Sequence, residues 1–122
     1  MKRCMIVDDS RVIRRFAAKI VQDLGFETTE AEDGRQALQA CRDQMPDAIV
    51  LDWEMPVMDG IAVTEELRRM PGGNRVAVIM CTVKNEPKSI QEALDVGADE
   101  YIMKPFDSEI VRTKFVLLGL IG

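Results

Sequence analysis

The chain has 122 residues, of which 47% are hydrophobic and 30% charged, and a formal net charge of −5. That length suits one domain, which can bury roughly 65–70% of the surface its unfolded chain exposes and needs no staple. The acidic balance argues against general binding to a nucleic-acid backbone, the absence of histidine excludes a histidine triad or a histidine-ligated zinc, and no apolar run approaches the ~20 residues that span a bilayer.

The first predicted element is the apolar strand Arg3-Cys4-Met5-Ile6-Val7, which ends in the acidic pair Asp8-Asp9. Residues 1–10 carry no apolar segment of the signal-peptide kind, so a cytoplasmic protein is expected. Val12, Phe16 and Ile20 then recur every four residues, with Ile13, Ala17, Val21 and Leu24 alongside, as in an amphipathic helix stopped by Gly25. Phe26-Glu27-Thr28-Thr29-Glu30 has the threonine-rich character of an edge strand. Asp33 can cap a second helix bearing Ala37, Leu38 and Cys41, and Pro46 breaks the chain after it.

Asp47-Ala48-Ile49-Val50-Leu51-Asp52 follows, a run apolar enough to be covered on both faces, with a carboxylate at its C-terminal end. Asp59-Gly60 marks a turn into a third helix carrying Ile61, Val63, Leu67 and Met70, and Pro71-Gly72-Gly73-Asn74 is a loop. Val76 to Cys81 is a continuous apolar strand ending at Thr82. Asn85-Glu86-Pro87 opens a fourth helix that ends at Gly97. The short strand Glu100-Tyr101-Ile102-Met103 ends in Lys104-Pro105, and Asp107 or Ser108 caps a last helix with Ile110, Val111, Phe115 and Leu118. The thiols of Cys4, Cys41 and Cys81 have no metal-site spacing and are expected to be inert and buried. The pairs Arg14-Arg15 and Arg68-Arg69 are expected on solvated faces.

Five strands alternating with five helices call for an α/β fold, a doubly wound parallel sheet covered on both sides with right-handed crossovers. In the flavodoxin-like order 2-1-3-4-5 the first and third strands flank the switch point, and ligands sit at the strand C-termini there. Asp8, Asp9 and Asp52 would then share one lip with Thr82 and Lys104. Three carboxylates repel, by about 4 kcal/mol for a pair at 4 Å near a protein surface. All-oxygen donors in an open cleft favour Mg²⁺ among the divalent cations. A lysine ammonium and a threonine hydroxyl suit phosphoryl oxygens, and an aspartate can attack phosphorus to form an acyl phosphate.

With Met55-Pro56 and Asp59-Gly60 following Asp52, and Lys104-Pro105 closing the last strand, the whole chain resembles the receiver domains of two-component response regulators, in particular the single-domain, chemotaxis-type (CheY-like) members. The resemblance implies that residues 1–122 form one receiver domain with no output domain. It implies that Asp52 accepts a phosphoryl group from a histidine kinase or phosphotransfer protein, with Thr82 and Lys104 assisting. It implies that the Asp9 and Asp52 carboxylates and the Glu54 main-chain carbonyl ligate Mg²⁺, with Asp8 acting through water, and that the bond before Pro105 is cis. Thr82 and Tyr101 would report the change to the surface of the fourth helix, fifth strand and fifth helix, where a target protein binds. Such a protein is a monomeric switch with no DNA or membrane partner, and its own chemistry is limited to self-phosphorylation and autodephosphorylation.

Two other functions compete. An aspartyl phosphatase of the haloacid dehalogenase-like kind carries its nucleophile in an Asp-x-Asp motif on the first strand and usually a cap domain. A flavodoxin-like FMN carrier needs a phosphate-cradling loop where Asp8-Asp9 stand here. Glu54 and Lys84, two positions beyond Asp52 and Thr82, are expected to face one another across the cleft mouth, with Val83 narrowing the same opening and dephosphorylation slowed as a result.

Overall fold

A computed structural model describes residues 2–122. Strands β1 (Arg3–Val7), β2 (Glu27–Ala31), β3 (Ala48–Asp52), β4 (Ala77–Thr82) and β5 (Glu100–Met103) alternate with helices α1 (Arg11–Asp23), α2 (Gly34–Asp43), α3 (Gly60–Arg69), α4 (Pro87–Asp95) and α5 (Ser108–Leu117). All pairings are parallel and the order is β2-β1-β3-β4-β5, as the alternation of elements predicts.

Because side chains alternate along a strand, each inner strand supplies both faces of the sheet. Met5, Val7, Ile49, Leu51, Val78 and Met80 point to one side, into a core shared with Leu38 of α2, Val63 and Leu67 of α3, and Ala93 of α4. Cys4, Ile6, Val50, Ile79 and Cys81 point to the other, against Ala17 and Val21 of α1 and Val111 and Phe115 of α5. Tyr101 belongs to the first side and Ile102 to the second. β2, at the sheet edge, is mostly exposed, in keeping with its threonines. The three thiols are free and buried.

The helix ends follow their local chemistry. The side chains of Ser10, Asp33, Asp59 and Asp107 each accept a hydrogen bond from the backbone N–H three residues on, at the starts of α1, α2, α3 and α5. Asp107, rather than Ser108, therefore caps the last helix. Gly25 and Gly97 end α1 and α4 with φ of +99° and +114°, where a Cβ would be strained. The Pro71-Gly72-Gly73-Asn74 loop contains a single 3₁₀ turn, Gly73–Arg75.

Two expectations are corrected. The row Val12–Phe16 does not face the core: these residues are 80% and 51% exposed, and α1 buries Arg14, Ala17, Ala18, Ile20 and Val21 instead. Nor are both arginine pairs solvated. Arg15 and Arg69 are, but Arg14 is buried, with its Nη1 donating to the Asp8 carbonyl at 2.8 Å and its Nε to Glu30 at 3.0 Å. Arg68 reaches the carbonyls of Gly73, Val76 and Gly97 and the Asp99 carboxylate, tying α3 to the loops beside β4 and β5. Carbonyls left free at loop ends need donors, and the planar five-donor guanidinium supplies several at once.

Candidate functional site

The parallel sheet brings Asp8, Asp52, Thr82 and Lys104 to one edge because each stands at or just past the C-terminal end of a strand. Asp52 pairs in register with Cys81, and Thr82 with Met103. The Lys104 N–H donates to the Thr82 carbonyl at 2.8 Å, which holds the last strand's end against β4. The Lys104–Pro105 bond is cis, as expected.

Asp8, Asp9 and Asp52 form one cluster, with a carboxylate oxygen from each lying within 4.8 Å of the others. Asp8 and Asp52 are buried, at 4% and 3% exposure, and Asp9 is exposed. Lys104 Nζ sits between the two buried acids, 3.0 Å from Asp8 Oδ2 and 2.9 Å from Asp52 Oδ1. The other Asp8 oxygen, Oδ1, accepts the Ser10 N–H at 2.8 Å. One ammonium thus offsets part of the repulsion among three carboxylates and leaves excess negative charge beside an open mouth. That is a donor set for a hard divalent cation.

Burial is the main influence on Asp52 and pushes its pKa up to about 6, helped by the charges of Asp8 and Asp9 and opposed by Lys104. For Lys104, burial works against the charged form, but the hydrogen bonds and charges of Asp52 and Asp8 outweigh it and hold its pKa above the usual lysine value.

Around the cluster the backbone packs tightly. The Gly60 N–H donates to the Trp53 carbonyl at 2.9 Å, and a Cβ on Gly60 would lie 2.7 Å from the Asp52 carbonyl oxygen and 2.7 Å from Met80 Sδ. Only glycine lets α3 start so close to the end of β3. Between them the chain makes a three-residue turn in which the Met58 N–H donates to the Pro56 carbonyl at 2.8 Å, and Val57 at its centre has φ of +72°. Ile13, Phe16, Val83, Pro105 and Phe106 line an apolar groove together with Lys104.

The expected contact between Glu54 and Lys84 is absent. The Thr82 hydroxyl donates instead to the Glu54 carboxylate, 2.7 Å from Oε2 and 3.0 Å from Oε1, and accepts the Lys84 N–H at 3.0 Å. Lys84 Nζ lies 5.0 Å from the centre of the Trp53 ring, a cation–π contact. The ring of Trp53, buried next to Asp52, takes the ammonium that the linear spacing assigns to Glu54. The ring of Tyr101 is inside, at 8% exposure, and its buried hydroxyl has no hydrogen-bond partner.

Spacing along the chain did not reveal Arg14, Glu30 or the Thr82–Glu54 pair as parts of the site. The Thr82–Glu54 pair depends on strand register, which puts the residue two places past Asp52 beside the end of β4.

The chain has known relatives. The profile of the response regulator receiver domain family matches residues 4–115. The chain is 39% identical over 118 residues to the phosphate regulon transcriptional regulatory protein PhoB of Pseudomonas aeruginosa, a match that covers 95% of this chain and 52% of that protein. It therefore spans about half the length of that relative. It is 34% identical over 110 residues to the chemotaxis protein CheY of Bacillus subtilis, covering 89% of this chain and 90% of that one. The crystal structure of the chemotaxis response regulator CheY4 of Vibrio cholerae superposes with a TM-score of 0.91 at 32% identity, over 97% of this chain and 98% of that one. No described helix is long and apolar enough to cross a membrane.

Proposed function

Since the chain belongs to the response regulator receiver domain family of two-component signalling, in its CheY-like form, we propose that it is a phosphorylation switch whose phosphoacceptor is Asp52. The observation that carries this is the lysine bridge. Lys104 Nζ holds the buried Asp52 and Asp8 carboxylates together at 2.9 and 3.0 Å on the lip of the sheet. The donor is a histidine kinase or phosphotransfer protein, and the recipient of the signal is a partner protein rather than DNA. This chain matches 52% of the PhoB relative, and that relative's printed role as a transcriptional regulator belongs to the whole protein.

The chemistry follows from the groups present. With its pKa at about 6, Asp52 is mostly ionised at neutral pH and is a nucleophile. One of its oxygens forms a bond to phosphorus while the donor's P–N bond breaks, and the electron pair of that bond leaves on the imidazole nitrogen. Lys104 is already in place to neutralise a phosphoryl oxygen. The all-oxygen cluster fits Mg²⁺, which Asp9, Asp52 and the Glu54 main-chain carbonyl would hold, with Asp8 acting through water. When bound, the ion supplies neutralisation of charge on the phosphoryl oxygens.

The new group adds roughly −1.5 to −2 charge and strong acceptor oxygens beside Thr82. Thr82 reports this to α4, β5 and α5 through Tyr101, which packs in the same core as Ala93 and Ile90 of α4. A partner protein reads that surface.

Labelling with a small-molecule phosphodonor tests the proposal. Wild-type protein is expected to take up label only with Mg²⁺ present, and Asp52→Asn to take up none. Label on Asp52→Asn at the wild-type rate would overturn it.

A further inference from the structure

A threonine hydroxyl has one proton to donate. In Thr82 that proton is committed to the Glu54 carboxylate at 2.7 Å, while the oxygen accepts the Lys84 N–H. Thr82 is fully buried. Glu54 is exposed, and its carboxylate forms no ion pair with any described lysine or arginine. The nearby ammonium of Lys84 is stacked on Trp53 instead. An anionic side chain that is free to face solvent thus turns inward onto a neutral hydroxyl, on the lip where the phosphoryl oxygens of a modified Asp52 would need that same hydroxyl.

We propose that Glu54 is a positioning residue for Thr82: its carboxylate occupies the hydroxyl's only donor before phosphorylation, and a phosphoryl group on Asp52 recruits Thr82 by displacing it. The inference rests on the assignment of Asp52 as phosphoacceptor. Both acceptors are anionic, and hydrogen bonds to ionised groups are roughly twice as strong as neutral ones, so the exchange is a close contest. The phosphoryl charge also repels the Glu54 carboxylate, which can withdraw to water at little desolvation cost because it starts near the surface. Glu54 therefore sets how strongly a phosphoryl group must bind before Thr82 changes partner. A shorter or neutral side chain at this position lowers that threshold.

The test is a titration of the metal-loaded protein with beryllofluoride, an acyl-phosphate mimic, followed by the fluorescence of Trp53, the sole tryptophan. Glu54→Ala is expected to bind about tenfold more tightly than wild type, the scale of one hydrogen bond to a charged group. Glu54→Gln, which keeps an acceptor without the charge, is expected to fall between them. In a Thr82→Ala background the gain from Glu54→Ala is expected to shrink to about twofold or less, and Thr82→Ser, which restores the hydroxyl, to bring it back. An equal gain with and without the hydroxyl would mean that simple charge repulsion is at work and would overturn the inference, as would no gain from Glu54→Ala in the Thr82 protein. A wild type that itself fails to bind beryllofluoride with Mg²⁺ would overturn the assignment of Asp52 and this inference with it; a wild type that binds while the coupling is absent would overturn the inference alone.

Discussion

Asp52 sits where burial and ionisation pull against one another. In the metal-free protein its pKa is displaced from an ordinary 3.8 to about 6, first by burial and then by the neighbouring acids. A carboxyl whose pKa is higher in the folded than in the unfolded chain binds its proton more tightly when folded. Stability from this group is therefore greatest at low pH and declines as pH rises through about 4 to 6. The full displacement is worth roughly 2–3 kcal/mol by neutral pH. Asp52→Asn cannot ionise there, so without metal it is expected to be about 2 kcal/mol more stable than wild type at pH 7, with the gap closing below pH 4. Urea unfolding of both proteins across that range measures the gap; a constant difference would contradict the assignment. The strand-end acids were legible in the sequence because a parallel sheet sends every strand's C-terminus to one lip. Arg14 was not. A doublet of arginines has the appearance of a solvated pair, and what buries this one is a carbonyl at Asp8 and a carboxylate on the edge strand, which only the folded backbone brings together.

At the scale of elements, α3 positions the site by approaching β3 more closely than any side chain allows. Gly60→Ala would place a methyl group 2.7 Å from the Asp52 carbonyl oxygen and Met80 Sδ. Neither neighbour can retreat far, because Asp52 is bonded into the sheet and Met80 is fully buried. The expected result is a loss of about 1–3 kcal/mol in thermal or chemical unfolding, together with weaker Mg²⁺ binding as the end of β3 shifts. Asp-Gly is visible in the sequence as a turn, but the need for glycine comes from this close approach, which no pattern along the chain reveals. The first helix carries the same lesson. The four-residue row Val12–Phe16–Ile20 suggested a buried stripe, yet only Ile20 is buried, and the packed face of α1 runs through its small residues Ala17 and Ala18. Small side chains let the helix lie close to the sheet, while Phe16 turns to Phe106, with ring centroids 5.8 Å apart, at the rim of the cleft.

Across the whole molecule, packing is uneven. The strands β1, β3 and β4 are buried on both faces, whereas α4 buries only Ala93 among its nine residues and lacks a side-chain cap at its start. Local opening costs least where little apolar surface is covered. Amide hydrogen exchange is therefore expected to be fastest, among the helices, in α4, and slowest in β1, β3 and β4. Beryllofluoride with Mg²⁺ is expected to shift amide resonances across residues 85–104 as well as at the site; protection in α4 equal to that of α3, or shifts confined to the site, would contradict a switch that works through this face. The fold order was legible because alternation of strands and helices leaves few alternatives. The resting partner of Thr82 and the buried position of Tyr101 were not, because they depend on contacts between residues far apart in the chain.

The turn after Asp52 carries a different consequence, one of reserve. Val57 is β-branched and 78% exposed, and holds a φ of +72° that such residues rarely adopt. It contributes almost nothing to the core, so the protein tolerates a conformational cost of about 1–2 kcal/mol at a place where the side chain gives little in return. Val57→Gly should recover much of that, less the added freedom of the unfolded chain, for a net gain of about 0.5–1 kcal/mol in unfolding. An unchanged midpoint would show that the turn is relaxed. If the gain is found, the loop next to Asp52 holds unused headroom for mutational tolerance, and a variant so stabilised could absorb costly changes elsewhere in the site without unfolding.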